Sequence, residues 1–307
     1  MMKQVLRIGL PLFCLLFVLN GCTMPNDTLL RTEYLFQDMT PAEAKEMVSD
    51  YDSMVFQSDG SEIYGQILKP APSCGAKRPV VLFFHGFAGF GRFDDIGQAL
   101  CRAGCVVIIP HHRGAWGSQG KYTVSNCVRD AVNLVNYVRS PEFQKKYHTD
   151  PSRTFLAGHS MGGNTALNAA SEVSGVRGII LLDPCDIGSM TQTMKKEQML
   201  EFLVDNGLQI LKTDGPEAVY HDLVVHAAKY AFPAVAQRLN GTSVLLIAAE
   251  WGLDENGSLM KNFCAAADRN QKIPYRTFKT CRCNHGMMGV RTILTHDMAD
   301  FIEKCCR

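Results

Sequence analysis

Apolar residues in this chain fall into short dense runs separated by longer amphipathic stretches. Val80-Val81-Leu82-Phe83-Phe84, Cys105 to Ile109, Thr154-Phe155-Leu156-Ala157, Ile179-Ile180-Leu181-Leu182 and Ser243 to Ala249 carry almost no polar positions. Strands apolar on both faces belong to a sheet buried between two helix layers. The segments between them, Phe93 to Ala103, about Ser125 to Arg139, Gly163 to Ala170 and about Leu259 to Ala267, read as helices. Tyr275 to Lys279 reads as the last strand and Arg291 to Lys304 as the closing helix. Ahead of this series, Ser53 to Gln57 and Glu62 to Leu68 flank Ser58-Asp59-Gly60, a strand pair around a turn. Thr40-Pro41-Ala42-Glu43 starts a helix with a capping box, expected to run to about Ser49. Strands alternating with helices at these spacings predict an α/β fold with a doubly wound, mostly parallel sheet.

One stretch breaks the alternation. Between about 189 and 241, Met199, Leu200, Phe202, Leu203, Leu208, Ile210 and Leu211 recur at helical spacing, and Val219 to Phe232 continues the pattern. This insert follows the strand ending at Asp183, so it is expected to cover the carboxyl edge of the sheet as a helical cap. The first residues read as an export signal: Lys3 and Arg7, then an apolar run from Ile8 to Leu19. Leu19-Asn20-Gly21-Cys22 resembles the lipobox of bacterial lipoproteins, which implies lipidation at Cys22. The expected organisation is a signal peptide with lipobox over 1–22, a tether and N-terminal helix over 23–50, and the folded domain over 51–307. The address implied is the bacterial cell envelope, and Thr23 after the cysteine points to the periplasmic side of the outer membrane. A net charge of +1 gives no electrostatic reason to expect nucleic acid or an anionic membrane as partner. Beyond Cys14 and Cys22 ten cysteines remain, an even number that favours disulfides in an exported chain.

The chemistry centres on Gly158-His159-Ser160-Met161-Gly162, placed between a strand and a helix. That context makes the pattern a nucleophile elbow with Ser160 at its tip. A serine hydroxyl needs a base, and the base needs an acid to hold its tautomer. His285, after the last strand and before the last helix, is the histidine at the expected place. The oxyanion needs two backbone N–H groups. Met161 follows the nucleophile, and Phe87 follows His85-Gly86 at the end of its strand. His85 is read as bracing that loop, His159 as packing beneath the elbow, and His111 and His112 as structural. Asp183 and Asp254 both qualify as the acid, with Asp186 and Glu250 weaker. Cys281-x-Cys283-x-His285 is too tightly spaced, without a second ligand pair, to read as a metal site.

His85-Gly86, Arg113-Gly114 with Gly117-Ser118, the elbow, Leu182-Asp183-Pro184 and His285 together resemble an α/β-hydrolase, from about Ser53 onward. The nearest branches are the chlorophyllase-like and polyester-hydrolase-like esterases, with dienelactone hydrolases more distant. The resemblance implies a carboxylic ester hydrolase acting on a small-molecule or lipid-like ester, without cofactor or metal. It favours Asp183 as acid, because relatives that draw the acid from the later strand place it where Gly252 stands, not at Asp254. If the Asp183 and His285 loops meet, a Cys185–Cys283 disulfide joining them is expected. Two other functions stay open: a serine peptidase of the prolyl-oligopeptidase type, and a non-catalytic binding protein on the same fold.

Overall fold

The computed structural model describes residues 29–44, 47–254 and 257–307. The signal, Cys22 and most of the tether lie outside the described residues. The capping box forms: Thr40 N donates to Glu43 Oε2 at 2.7 Å and Glu43 N donates to Thr40 Oγ1 at 3.3 Å. Among the described residues the helix it opens is α1 (Pro41–Ala44), and 47–49 are not helical. A hairpin follows, β1 (Asp50–Ser58) and β2 (Ser61–Lys69), in antiparallel register from Asp50–Lys69 to Ser58–Ser61. Its two-residue turn has positive φ at Asp59 and Gly60, the geometry that matches strand twist.

The alternation then runs as the pattern predicts, with one short unpredicted helix, α4: β3 (Arg78–Phe84), α2 (Asp94–Arg102), β4 (Val106–Pro110), α3 (Val124–Val138), α4 (Pro141–Tyr147), β5 (Thr149–His159), α5 (Met161–Glu172) and β6 (Gly178–Leu182). The insert supplies α6 (Ile187–Thr193), α7 (Lys196–Asp205), α8 (Pro216–Tyr230) and α9 (Phe232–Arg238). β7 (Ser243–Trp251), α10 (Ser258–Arg269), β8 (Arg276–Asn284) and α11 (Arg291–Cys306) complete the described chain. The eight strands form one sheet in the order β1-β2-β4-β3-β5-β6-β7-β8. Neighbours from β4 to β8 pair in parallel, and only the β1–β2 and β2–β4 pairings are antiparallel. β8 runs five residues further than the pattern suggests. It is an edge strand, half exposed, so apolar density fades along it while the pairing to β7 continues.

Alternate residues of the central strands feed two cores. Val80, Leu82 and Phe84 face α3, α5, α9 and α10, whereas Val81 and Phe83 face α2 and α11. The insert divides in the same way. α9 packs Phe232, Val235 and Ala236 into the first of these cores, so it belongs to the sheet's helix layer rather than to the cap. α6 to α8 build a third cluster in which Ile187, Met199, Leu203, Val219 and Leu223 meet Ala88, Tyr122 and Met161. This portion therefore seats on the elbow and its flanking loops.

Asp186 fastens the two stems of the cap. Its buried Oδ1 accepts from Ser189 N at 3.0 Å, opening α6, and from Phe232 N at 3.2 Å, opening α9. Burial pushes its carboxyl up. Asp186→Ala is expected to cost about 2 kcal/mol, since two buried N–H groups lose their acceptor. Asp186→Asn keeps an acceptor and removes a buried charge, so its loss should be smaller. Urea midpoints of the three proteins check this, and equal losses for Ala and Asn would sink the clasp.

Candidate active site

The strand order fixes where a site can form. The chain leaves β3 for β4 on one side and returns for β5 on the other. Ligands of such sheets bind outside the carboxyl ends at that reversal. Ser160 follows β5, and the loop Gly86-Phe87 follows β3. The elbow itself is enforced by close contact. A Cβ at Gly158 would stand 2.2 Å from the Gly162 backbone, and one at Gly162 would stand 2.0 Å from Phe84 O. No larger residue lets α5 lie this close to β5 and β3.

Ser160 has φ 54° and Asp183 has φ 37°, both in the left-handed region where a side chain is strained. Each is held there by the adjoining strand. Ser160 N donates to Leu182 O at 3.1 Å, Cys185 N donates to Ser160 O at 3.0 Å, and Asp183 N donates to Ile247 O at 2.8 Å. Asp183 is buried, and its Oδ2 lies 2.6 Å from His285 Nδ1. Its Oδ1 accepts from Ala249 N at 2.9 Å, so the carboxylate is fixed from β7 as well. The imidazole thus donates from Nδ1, which leaves Nε2 as the acceptor.

The other acidic candidates are elsewhere. Asp254 accepts from Ser258 N at 3.1 Å and Met260 N at 2.9 Å, capping the start of α10. Glu250 pairs with Arg282 at 3.4 Å. Gly252, where relatives carry an acid, lies against Asp183: a Cβ built there would be 2.3 Å from Asp183 Oδ2 and 2.6 Å from Oδ1. The carboxylate of Asp183 fills the space that a side chain at 252 would enter.

Three further histidines, His85, His112 and His159, are buried scaffolding. His85 Nδ1 donates to Gly86 O at 2.8 Å, and His112 Nε2 donates to His85 O at 2.9 Å. Burial holds both rings below the ordinary histidine range. His159 does more than pack beneath the elbow. Its Nε2 donates to the carbonyl of His285 at 2.7 Å, and the two rings lie 4.5 Å apart. Burial and the neighbouring His285 lower His159 to about 4, so it supports the His285 loop as a neutral ring. Sequence position alone gave no sign of this contact across 126 residues.

Ser160, His285, Phe87 and Met161 line one pocket together with Gly86, Gly91, His159, Phe202, Asn206 and Leu253. Met161 is the first residue of α5, whose leading N–H groups have no partner within the helix. Gly86 brings the β3 loop against the elbow; its Cβ would stand 3.2 Å from that of Ser160. A larger cavity, about 640 Å³, opens between the N-terminal segment, the β1–β2 hairpin and α2. Among the described residues no histidine lines it, and the one thiol that does, Cys101, is pushed up by burial to about 12.

The expected disulfides do not form: all ten cysteines among the described residues are free thiols. The Asp183 and His285 loops do meet, yet Cys185 and Cys283 sit in different cores. Cys185 turns with Pro184 toward the cap, where its Sγ lies 3.7 Å from Met190 Sδ. Cys283 of β8 belongs to the other cluster, the one that holds Met287 and Leu294.

Sheet topology, elbow and cap define an α/β-hydrolase. Residues 75–242 match the family Hydrolase_4, described as serine aminopeptidase, S33, and the chain belongs to that family. Monoglyceride lipase of Rattus norvegicus is 31% identical over 159 residues, which are 48% of this chain and 49% of the lipase. A gibberellin receptor of Arabidopsis thaliana is 37% identical over 117 residues, 34% of this chain and 33% of the receptor. The chain therefore spans half or less of the length of these curated relatives. Among solved structures, brefeldin A esterase, a bacterial homologue of human hormone sensitive lipase, superposes with a TM-score of 0.60. Its sequence identity is 18%, over 84% of this chain and 77% of that one.

Proposed function

We propose that this protein is a serine hydrolase of carboxylic esters, working through an acyl-enzyme. The 2.6 Å contact between His285 Nδ1 and Asp183 Oδ2 carries the reading. With Nδ1–H directed at the carboxylate, Nε2 is free to take the Ser160 proton as the hydroxyl attacks the ester carbonyl. The imidazolium that forms is stabilised by Asp183. The tetrahedral oxyanion is held by the N–H groups of Phe87 and Met161, and collapse expels the alcohol, protonated by His285. Water, activated by the same imidazole, then releases the acid and restores Ser160. His159 keeps the His285 backbone in place throughout. The placing of the acid after β6 favours the chlorophyllase-like and polyester-hydrolase-like branches. Lipidation at Cys22 and an outer-membrane address belong to this proposal too, on the lipobox resemblance alone.

The family's description and the relatives' names span a peptidase, a lipase and a receptor, so the site must arbitrate. An aminopeptidase has to neutralise the ammonium of its substrate beside the scissile bond. Among the described residues, no Asp or Glu lines the Ser160 pocket. A receptor would have no use for a buried carboxylate aimed at a histidine next to a strained serine. Nitrophenyl butyrate is expected to be turned over and amino-acid nitroanilides to be refractory, with a fluorophosphonate labelling Ser160. Faster anilide than ester cleavage would favour the peptidase, and no labelling at Ser160 would favour the binder.

A further inference from the structure

The space enclosed beside Ser160 is about 100 Å³. Pockets for larger ligands start at about 300 Å³. The cap sets the limit. Phe202 of α7 and Asn206, the residue capping its end, are one turn apart and both line the pocket with His159 and His285. They are held from behind. Met199 and Leu203 of the same helix are fully buried against Met161, Cys185 and Leu208. Asn206 Nδ2 also donates to Phe202 O at 2.8 Å, tying the end of the helix to the turn before it. Beyond α7, Gly207 lies against the β3 loop: a Cβ there would be 2.8 Å from Phe90.

Resting on the ester-hydrolase reading, we propose that the protein is selective for esters of short carboxylic acids, about two to four carbons, with Phe202 as the gatekeeper of chain length. The acyl group is the part enclosed because it stays bonded to Ser160 while the alcohol leaves. The departing group needs an open path to solvent, and the retained group needs only room. A chain of eight carbons meets the Phe202 ring before its carbonyl reaches the Phe87 and Met161 N–H groups. Such a substrate loses rate in acylation, where the oxyanion contact matters most.

The test is a chain-length series of nitrophenyl acetate, butyrate, octanoate and palmitate on the full protein. The kcat/KM for butyrate is expected to exceed that for octanoate at least about tenfold, the effect of even one methylene that does not fit. Phe202→Ala should raise the octanoate-to-butyrate ratio about tenfold or more, and Phe202→Leu should raise it less. Equal or better use of octanoate by the unmodified protein overturns the proposal. So does an unchanged ratio in the folded Phe202 variants. Failure to cleave any ester, with no fluorophosphonate labelling, would instead remove the ester-hydrolase reading on which this one rests.

Discussion

Ser160→Ala is expected to abolish ester turnover, lowering kcat by about a million-fold. The size follows from how the groups act. On the proposed mechanism His285 and Asp183 contribute only through the Ser160 oxygen, so removing it disables all three at once. What remains should be the pull of the Phe87 and Met161 N–H groups on a bound carbonyl, about a thousand-fold over water. Labelling by a fluorophosphonate should vanish with the activity. Folding should not, because alanine is smaller than serine and keeps the backbone bonds to Leu182 and Cys185 that hold φ at 54°. A normal thermal transition with no turnover is the expected pair of results. Ester turnover retained within a hundred-fold would mean that another group attacks.

Asp183→Asn is expected to lower kcat by about ten-thousand-fold. The amide has nearly the same shape, so position is kept and two other things are lost. The charge that stabilises the imidazolium disappears, and the amide N–H can oppose Nδ1, turning the ring to the tautomer whose Nε2 carries the proton. Asp254→Asn should stay within a few-fold, since asparagine caps a helix start about as well as aspartate. Gly252→Ala links the two regions. Its Cβ would intrude 2.3 Å from Asp183 Oδ2, so the carboxylate must move off His285. A misplacement of about 1 Å costs about a hundred-fold, and kcat for this variant should fall by that order. Near-normal turnover in Asp183→Asn would overturn the assignment of the acid.

Most of the sheet was legible because its strands are buried on both faces, and dense apolar runs such as Ile179 to Leu182 leave little else to be. The elbow was legible for a steric reason: Gly158 and Gly162 are the residues that such a turn demands, and both ends of it are strand and helix. Elements that obey weaker rules were misjudged. β8 faces solvent along much of its length, so its apolar signal stops before its pairing does. α9 has the same helical period as the cap helices before it, and nothing local says that its apolar face meets the sheet instead. The short α4, at seven residues, is too brief for its apolar period to show.

The sequence by itself determined the class of fold, the sharp turn at Ser160, the place of Phe87 in the loop after its strand and the place of His285 after the last strand. These depend on periodicity, residue size and chain order, which are local properties. Tertiary structure decided which side chains converge. Adjacent positions of β6 and β7 in the sheet bring Gly252 against Asp183, although 69 residues separate them in the chain. That contact places the Asp183 carboxylate against His285 and leaves Asp254 to cap a helix. Tertiary packing also separates Cys185 from Cys283, which sit in different clusters, one with the cap helices and the other with α2 and α11. Convergence is set by strand order and by which face a residue presents, and neither is written in the spacing of residues along the chain.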